Sequence, residues 1–216
     1  KRLNLRLMAK PLISFAEIAE EDPYFLDLDN RPDWQSKFGN TSPIKLEIGF
    51  GMGNFLIEMA AKEPDNNFIG IDFYHKGIRK LMTRIKKLQL ENIRVVYGDI
   101  RSKIPVLFKD RELNTVYINF PDPWPKKRHH KRRLIQKEFI CQVERVLIKG
   151  GRLQIATDWK PYADWIFSCI EKNTGFVQIV DRTALAQGER DRPTKFESRG
   201  INLKHKVFDF TYERTS

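Results

Sequence analysis

The chain holds only two cysteines, Cys141 and Cys169, and neither stands at a metal-ligand spacing. That argues against a disulfide framework or a zinc site, and the pair reads as two buried, reduced thiols. No apolar run approaches the roughly 20 residues that a membrane span requires. Lys1–Arg6 has no signal-peptide apolar stretch, so a cytoplasmic location is expected. Carboxylates are outnumbered, with 28 Asp and Glu against 39 Lys and Arg, a net charge of +11. Such an excess favours a polyanionic partner, either a nucleic acid or an anionic membrane, and with no membrane span in view a peripheral or fully soluble protein is expected. There is no internal repeat and no low-complexity tract. The 216 residues, 41% of them hydrophobic, suffice for one large domain with a core.

What is present is an alternation of short apolar runs and longer amphipathic ones. Ile44–Ile48, Asn67–Ile71, Ile93–Tyr97, Thr115–Asn119 and Arg152–Ala156 read as strands. Asn54–Lys62, Lys76–Leu88, Leu134–Leu147 and Pro161–Lys172 read as helices, with one or two further turns over Ile104–Lys109. This order implies a parallel sheet covered on both faces. Two later runs, Thr174–Val180 and His205–Tyr212, lack a helix between them and suggest an antiparallel hairpin at a sheet edge. The charged segment Arg182–Leu203 between them is expected to be a long functional loop. Residues 1–40, interrupted by Pro11, Pro23 and Pro32, are expected to be irregular, leaving 41–216 as the domain.

The first strand runs into Glu47-Ile48-Gly49-Phe50-Gly51-Met52-Gly53. Glycines here allow a tight turn and close ligand approach. The spacing is not the G-x-G-x-x-G of dinucleotide binders, and the preceding acid would repel a pyrophosphate. A ligand with an amino group and little negative charge, such as S-adenosyl-L-methionine, suits it. Asp72 ends the second strand 23 residues after Gly49, near the offset of an acid that accepts ribose hydroxyls. Asp99 and Ile100 follow the third strand and could hold an adenine, the acid taking its amino group. Asp122 and Asp158 follow the fourth and fifth strands, so five acids should face one crevice, where open α/β sheets bind ligands.

The most distinctive stretch is Asn119 to Arg133. Its first half carries Pro121, Pro123 and Pro125, which stiffen the loop that holds Asp122 and Trp124. Its second half, Lys126-Lys127-Arg128-His129-His130-Lys131-Arg132-Arg133, can neutralise phosphates.

Taken together, Glu47-x-Gly-x-Gly-x-Gly, Asp72, Asp99 and Pro121–His129 resemble the bacterial tRNA (guanine-N7)-methyltransferase family. Thr157-Asp158 and Thr194-Lys195-Phe196-Glu197 match later motifs of that family. The likeness spans about residues 40–212; Asp72 departs from it, since relatives more often carry Glu there. The resemblance implies a Rossmann-like class I methyltransferase with a mostly parallel seven-stranded sheet and an antiparallel edge hairpin. It implies S-adenosyl-L-methionine as cofactor, held by Glu47, Gly49, Gly51, Gly53, Asp72, Asp99, Ile100 and Asp122. It implies a guanosine in the tRNA variable loop as target, with Asp122 the catalytic carboxylate. RNA contacts would come from Lys126, Arg128, His129, His130, Lys131, Arg132, Arg133, Asp158, Thr194, Lys195, Phe196 and Glu197. Two other readings stay open: methylation of an exocyclic amine, and an RNA-binding module without catalysis. Monomer and homodimer are equally compatible with the sequence.

Overall fold

The computed structural model describes residues 22–26, 28–172, 175–182 and 206–215. In chain order the elements are β1 (Phe25–Leu26), α1 (Trp34–Phe38), β2 (Ile44–Ile48), α2 (Asn54–Lys62), β3 (Asn67–Asp72) and α3 (His75–Leu88). Then come β4 (Ile93–Tyr97), α4 (Ile100–Leu107), β5 (Leu113–Asn119), a 3-10 helix (Lys127–Arg132) and α5 (Lys137–Val146). The last are β6 (Leu147–Thr157), α6 (Lys160–Glu171), β7 (Phe176–Arg182) and β8 (Phe208–Arg214). The strands form one sheet in the order β1-β4-β3-β2-β5-β6-β8-β7. β1 to β6 pair in parallel, while β8 runs antiparallel to both β6 and β7.

The burial patterns follow from this arrangement. β3 is buried at every residue because helices cover both of its faces. β8 alternates between buried and half-exposed residues, as an antiparallel strand near the edge does. One apolar layer, with Leu56, Ile57, Phe68, Ile78, Leu81 and Ile85, lies under α2 and α3. A larger one, with Leu46, Ile69, Val116, Ile140, Val143 and Ile166, lies under the other helices. The strand order reverses at β2, which has β3 and β4 on one side and β5 and β6 on the other. That reversal opens a crevice at the carboxyl ends of the central strands, where such sheets take their ligands. Among the described residues no helix is long and apolar enough to cross a membrane.

Four expectations are corrected. The sheet has eight strands rather than seven, because Phe25–Leu26 pairs with Val95–Val96. Two residues are too few to show alternation, so that strand is legible only through its partner. Residues 34–38 are helical rather than irregular. Asp33 caps the helix start by accepting from the Gln35 and Ser36 amides, and Gly39 ends it in the left-handed region. Helix α4 begins at Ile100, four residues before the expected Ile104, because Asp99 caps it and Pro105 is accommodated inside. The cysteines are both free, but Cys141 is exposed and Cys169 only half-buried.

Candidate functional site

The turn after β2 is built on three residues at positive φ: Gly49 (69°), Gly51 (55°) and Gly53 (68°). Side chains rarely adopt this conformation, so the glycine spacing is required by the backbone. Gly49 N–H donates to Ile71 O (2.9 Å) and Gly53 N–H to Phe50 O (2.8 Å). A Cβ at Gly49 or Gly51 would meet nothing within 4 Å, so the turn is open on that side.

Asp72 completes the turn. Its Oδ2 accepts from Gly51 N–H at 2.7 Å and its Oδ1 from Tyr74 N–H at 2.8 Å. The side chain is thereby fixed by the loops after both β2 and β3, and the residue is 8% exposed. Burial raises its carboxyl above the usual range, against the lowering by those amides. Glu47 is 2% exposed, and its Oε1 accepts from Asn119 Nδ2 at 3.1 Å, tying β2 to the end of β5. Asp99 caps α4 by accepting from Arg101 N–H at 3.0 Å and forms an ion pair with the Arg101 guanidinium at 2.7 Å. The hydrogen-bonded arginine holds the Asp99 carboxyl below its ordinary value. Ile100 beside it is buried.

The loop after β5 has a different character. Phe120 N–H donates to Ala156 O at 2.8 Å, and the chain then takes positive φ at Phe120 (51°) and Trp124 (42°). Bulky residues in that region store on the order of 1–3 kcal/mol each and persist only where surrounding contacts enforce them. The contacts here are visible. Trp124 lies edge-on to His129, with centroids 5.8 Å apart, and under the Arg132 guanidinium at 5.0 Å. Arg133 donates from Nε to Pro123 O at 2.9 Å, and its Nη2 sits 3.0 Å from His130 Nε2. Its guanidinium lies 5.0 Å from the rings of both Tyr162 and Trp165 on α6.

Arg133 therefore departs from the expected role. It is 3% exposed and pins the loop to α6, so in this arrangement it offers no face to a phosphate. Burial pulls its guanidinium below the ordinary value and pushes the Tyr162 phenol up to about 12. Lys126, Lys127, Arg128, Lys131 and Arg132 are exposed, while His129 and His130 are half-buried within the 3-10 helix. Asp122 is exposed on the loop, and Asp158 is half-buried just past β6.

Glu47, Asp72, Asp99, Asp122 and Asp158 thus all lie at or just beyond the carboxyl ends of adjacent parallel strands. Thr194, Lys195, Phe196 and Glu197 lie outside the described residues. Tyr162 and Trp165 had no role expected from the sequence. The only sequence signal for the two aromatics is their i, i+3 spacing on α6, which by itself reads as core. The acids and the open turn fit S-adenosyl-L-methionine, which carries hydroxyls and an ammonium but no phosphate. Each Asp72 oxygen accepts one backbone amide and retains a lone pair for a hydroxyl.

The fold is one shared with solved methyltransferases. It is similar to an rRNA methylase from Streptococcus thermophilus, with TM-score 0.56, 17% identity, 88% of this chain and 99% of that one. It is also similar to an O-methyltransferase from Thermotoga maritima, with TM-score 0.58, 13% identity, 94% of this chain and 72% of that one. A family model described as "Putative methyltransferase" matches residues 41–210. A tRNA (guanine-N(7)-)-methyltransferase of Vibrio cholerae serotype O1 is 40% identical over 196 residues, 88% of this chain and 82% of the relative. That of Nitrosococcus oceani is 41% identical over 193 residues, 89% and 80% of the two chains. The chain belongs to the tRNA (guanine-N7)-methyltransferase family.

Proposed function

We infer that this protein uses S-adenosyl-L-methionine to form N7-methylguanosine in tRNA. One observation carries the reading beyond family membership. The Glu47–Asn119 hydrogen bond joins the acid-lined glycine turn to the start of the strained, cation-flanked loop. This supports a reading in which a small cationic ligand and an RNA base meet in one crevice.

When bound, S-adenosyl-L-methionine supplies a sulfonium methyl group. Glu47 would hold its amino group, Asp72 its ribose, and Asp99 with Ile100 its adenine. Gly49, Gly51 and Gly53 keep the turn clear of side chains. Guanine N7 has an in-plane lone pair and no proton to lose, so no residue need act as a strong base. The loop's task is to hold N7 in line with the methyl. The purine gains positive charge as the C–N bond forms and the C–S bond breaks, and Asp122 stabilises that charge. Arg128, Lys131 and Arg132 would hold the tRNA backbone, with Lys126, His129, His130, Asp158 and Thr194–Glu197 around the target nucleoside. Following the family resemblance, the target guanosine is assigned to the variable loop. A single catalytic domain, which takes in β1 and α1 ahead of residue 41, and a cytoplasmic location belong to the same reading, in keeping with two free cysteines.

Incubation with total tRNA and labelled cofactor, followed by nucleoside mass spectrometry, tests the reading. 7-Methylguanosine is expected; N6-methyladenosine, or no labelled nucleoside, would overturn it.

A further inference from the structure

Helix α3 carries Lys76, Arg79, Lys80, Arg84, Lys86 and Lys87, and no carboxylate between His75 and Leu88. Arg79, Arg84 and Lys86 each have a partner in the fold. Lys86 Nζ pairs with Asp22 Oδ2 at 2.6 Å, and Arg84 Nη1 donates to Asn54 Oδ1 at 2.7 Å. At about 100° per residue, Lys76, Lys80, Thr83 and Lys87 form one narrow stripe along the helix. All four are exposed, opposite the buried Ile78, Leu81, Met82 and Ile85. Among the described residues Lys76, Lys80 and Lys87 take part in no ion pair.

Like charges at i, i+4, as in Lys76/Lys80 and Lys80/Arg84, weaken a helix. The stripe therefore costs the fold stability that a bound polyanion would return. Its place is also informative. Tyr74, which precedes the helix, donates its amide to Asp72, so Lys76 stands at the lip of the crevice. Gly77 is packed so closely beneath the glycine turn that a Cβ there would stand 1.8 Å from Gly51 O. From Lys76 to Lys87 the helix rises roughly 16 Å, enough to follow a phosphate backbone over several nucleotides. The stripe holds Thr83 and no apolar side chain, which argues against insertion into a lipid surface.

We propose that the Lys76–Lys80–Lys87 face of α3 is a second docking surface for the RNA backbone, distinct from the cations after Trp124. It holds the body of the tRNA while the target base occupies the crevice, and it rests on the tRNA reading above.

The test compares the parent with the Lys76→Ala, Lys80→Ala, Lys87→Ala triple variant in tRNA binding across a salt series. The slope of log K against log salt should flatten by about 0.7–0.9 per lost contact, roughly 2 units in all. Cofactor binding, the rate at saturating tRNA and the melting temperature should not fall. Parallel lines with equal affinity would overturn the proposal. So would a loss confined to phosphatidylserine vesicles, which would make the surface a membrane contact. If the triple variant loses its fold, Lys80→Glu carries the same test with one charge reversal. Product analysis of the parent separates the two inferences: weakened docking without 7-methylguanosine would sink the function and keep the surface, and 7-methylguanosine with unweakened docking the reverse.

Discussion

The two sides of the crevice hold their acids in opposite ways. On the β2–β3 side Glu47 and Asp72 are buried, and the described partners of Asp72 are backbone amides of the adjoining turns. On the β5 side Asp122 is exposed, on a loop with two residues at positive φ that is flanked by exposed cations. The first side is preorganised for one small ligand at little cost beyond desolvation. The second stores backbone strain and leaves its charges in water for a large partner. Affinity for the cofactor should therefore reside on the first side and the rate on the second, with RNA affinity divided between the cations of the β5 loop and the α3 face proposed above.

The largest expected effect tests the exposed side. Asp122→Ala should lower the single-turnover rate by about 100- to 1000-fold, the range for loss of one transition-state stabiliser, with little change in tRNA binding. Asp122→Asn should recover only part of this, because it keeps the shape and loses the charge. If Asn proved as fast as Asp, the role would be positional.

The buried side should respond in affinity. Hydrogen bonds to a charged group contribute about 1.5–3 kcal/mol, so Asp72→Ala should weaken cofactor binding roughly 10- to 100-fold and leave tRNA affinity intact. Calorimetry across pH sharpens this. In the proposed role Asp72 would bind the ribose hydroxyls as a carboxylate, and burial raises its pKa. Cofactor affinity should thus fall with acid, beginning at a higher pH than for an ordinary aspartate, and Asp72→Asn should abolish that step. Stability of the cofactor-free fold has the opposite sign: the buried carboxylate costs stability above its raised pKa, and acid relieves that cost.

The smallest effect separates two neighbours. Arg133→Lys keeps the charge but loses the planar group between Tyr162 and Trp165. The single-turnover rate should fall about tenfold, equivalent to about 1.4 kcal/mol of lost positioning, with an unchanged salt slope of tRNA binding. Arg132→Ala should do the reverse, flattening the slope by about 0.7–0.9 at a nearly unchanged rate. A flattened slope for Arg133→Lys would return that residue to the phosphate-binding set.

The pattern of what was legible has a physical basis. β2 to β6 announce themselves because each is an apolar run bounded by turn residues or helices. The glycine turn and Asp72 are local, so spacing along the chain is enough to find them. The two-residue β1 is defined only by pairing with β4. Arg133 looks like its neighbours in sequence, and its burial is decided by two rings on α6, beyond a helix and a strand. Cys141 illustrates the same limit: the α5 pattern does not say which of its small residues faces out.

The most direct test of the central claim replaces the reacting atom. A tRNA carrying 7-deazaguanosine at the target position lacks N7 but keeps the base's exocyclic amine and shape. It should bind like the parent tRNA and accept no methyl group, while the guanosine form is methylated fully. Methylation of the 7-deaza tRNA would show that the acceptor is another atom and that the account of the chemistry is wrong.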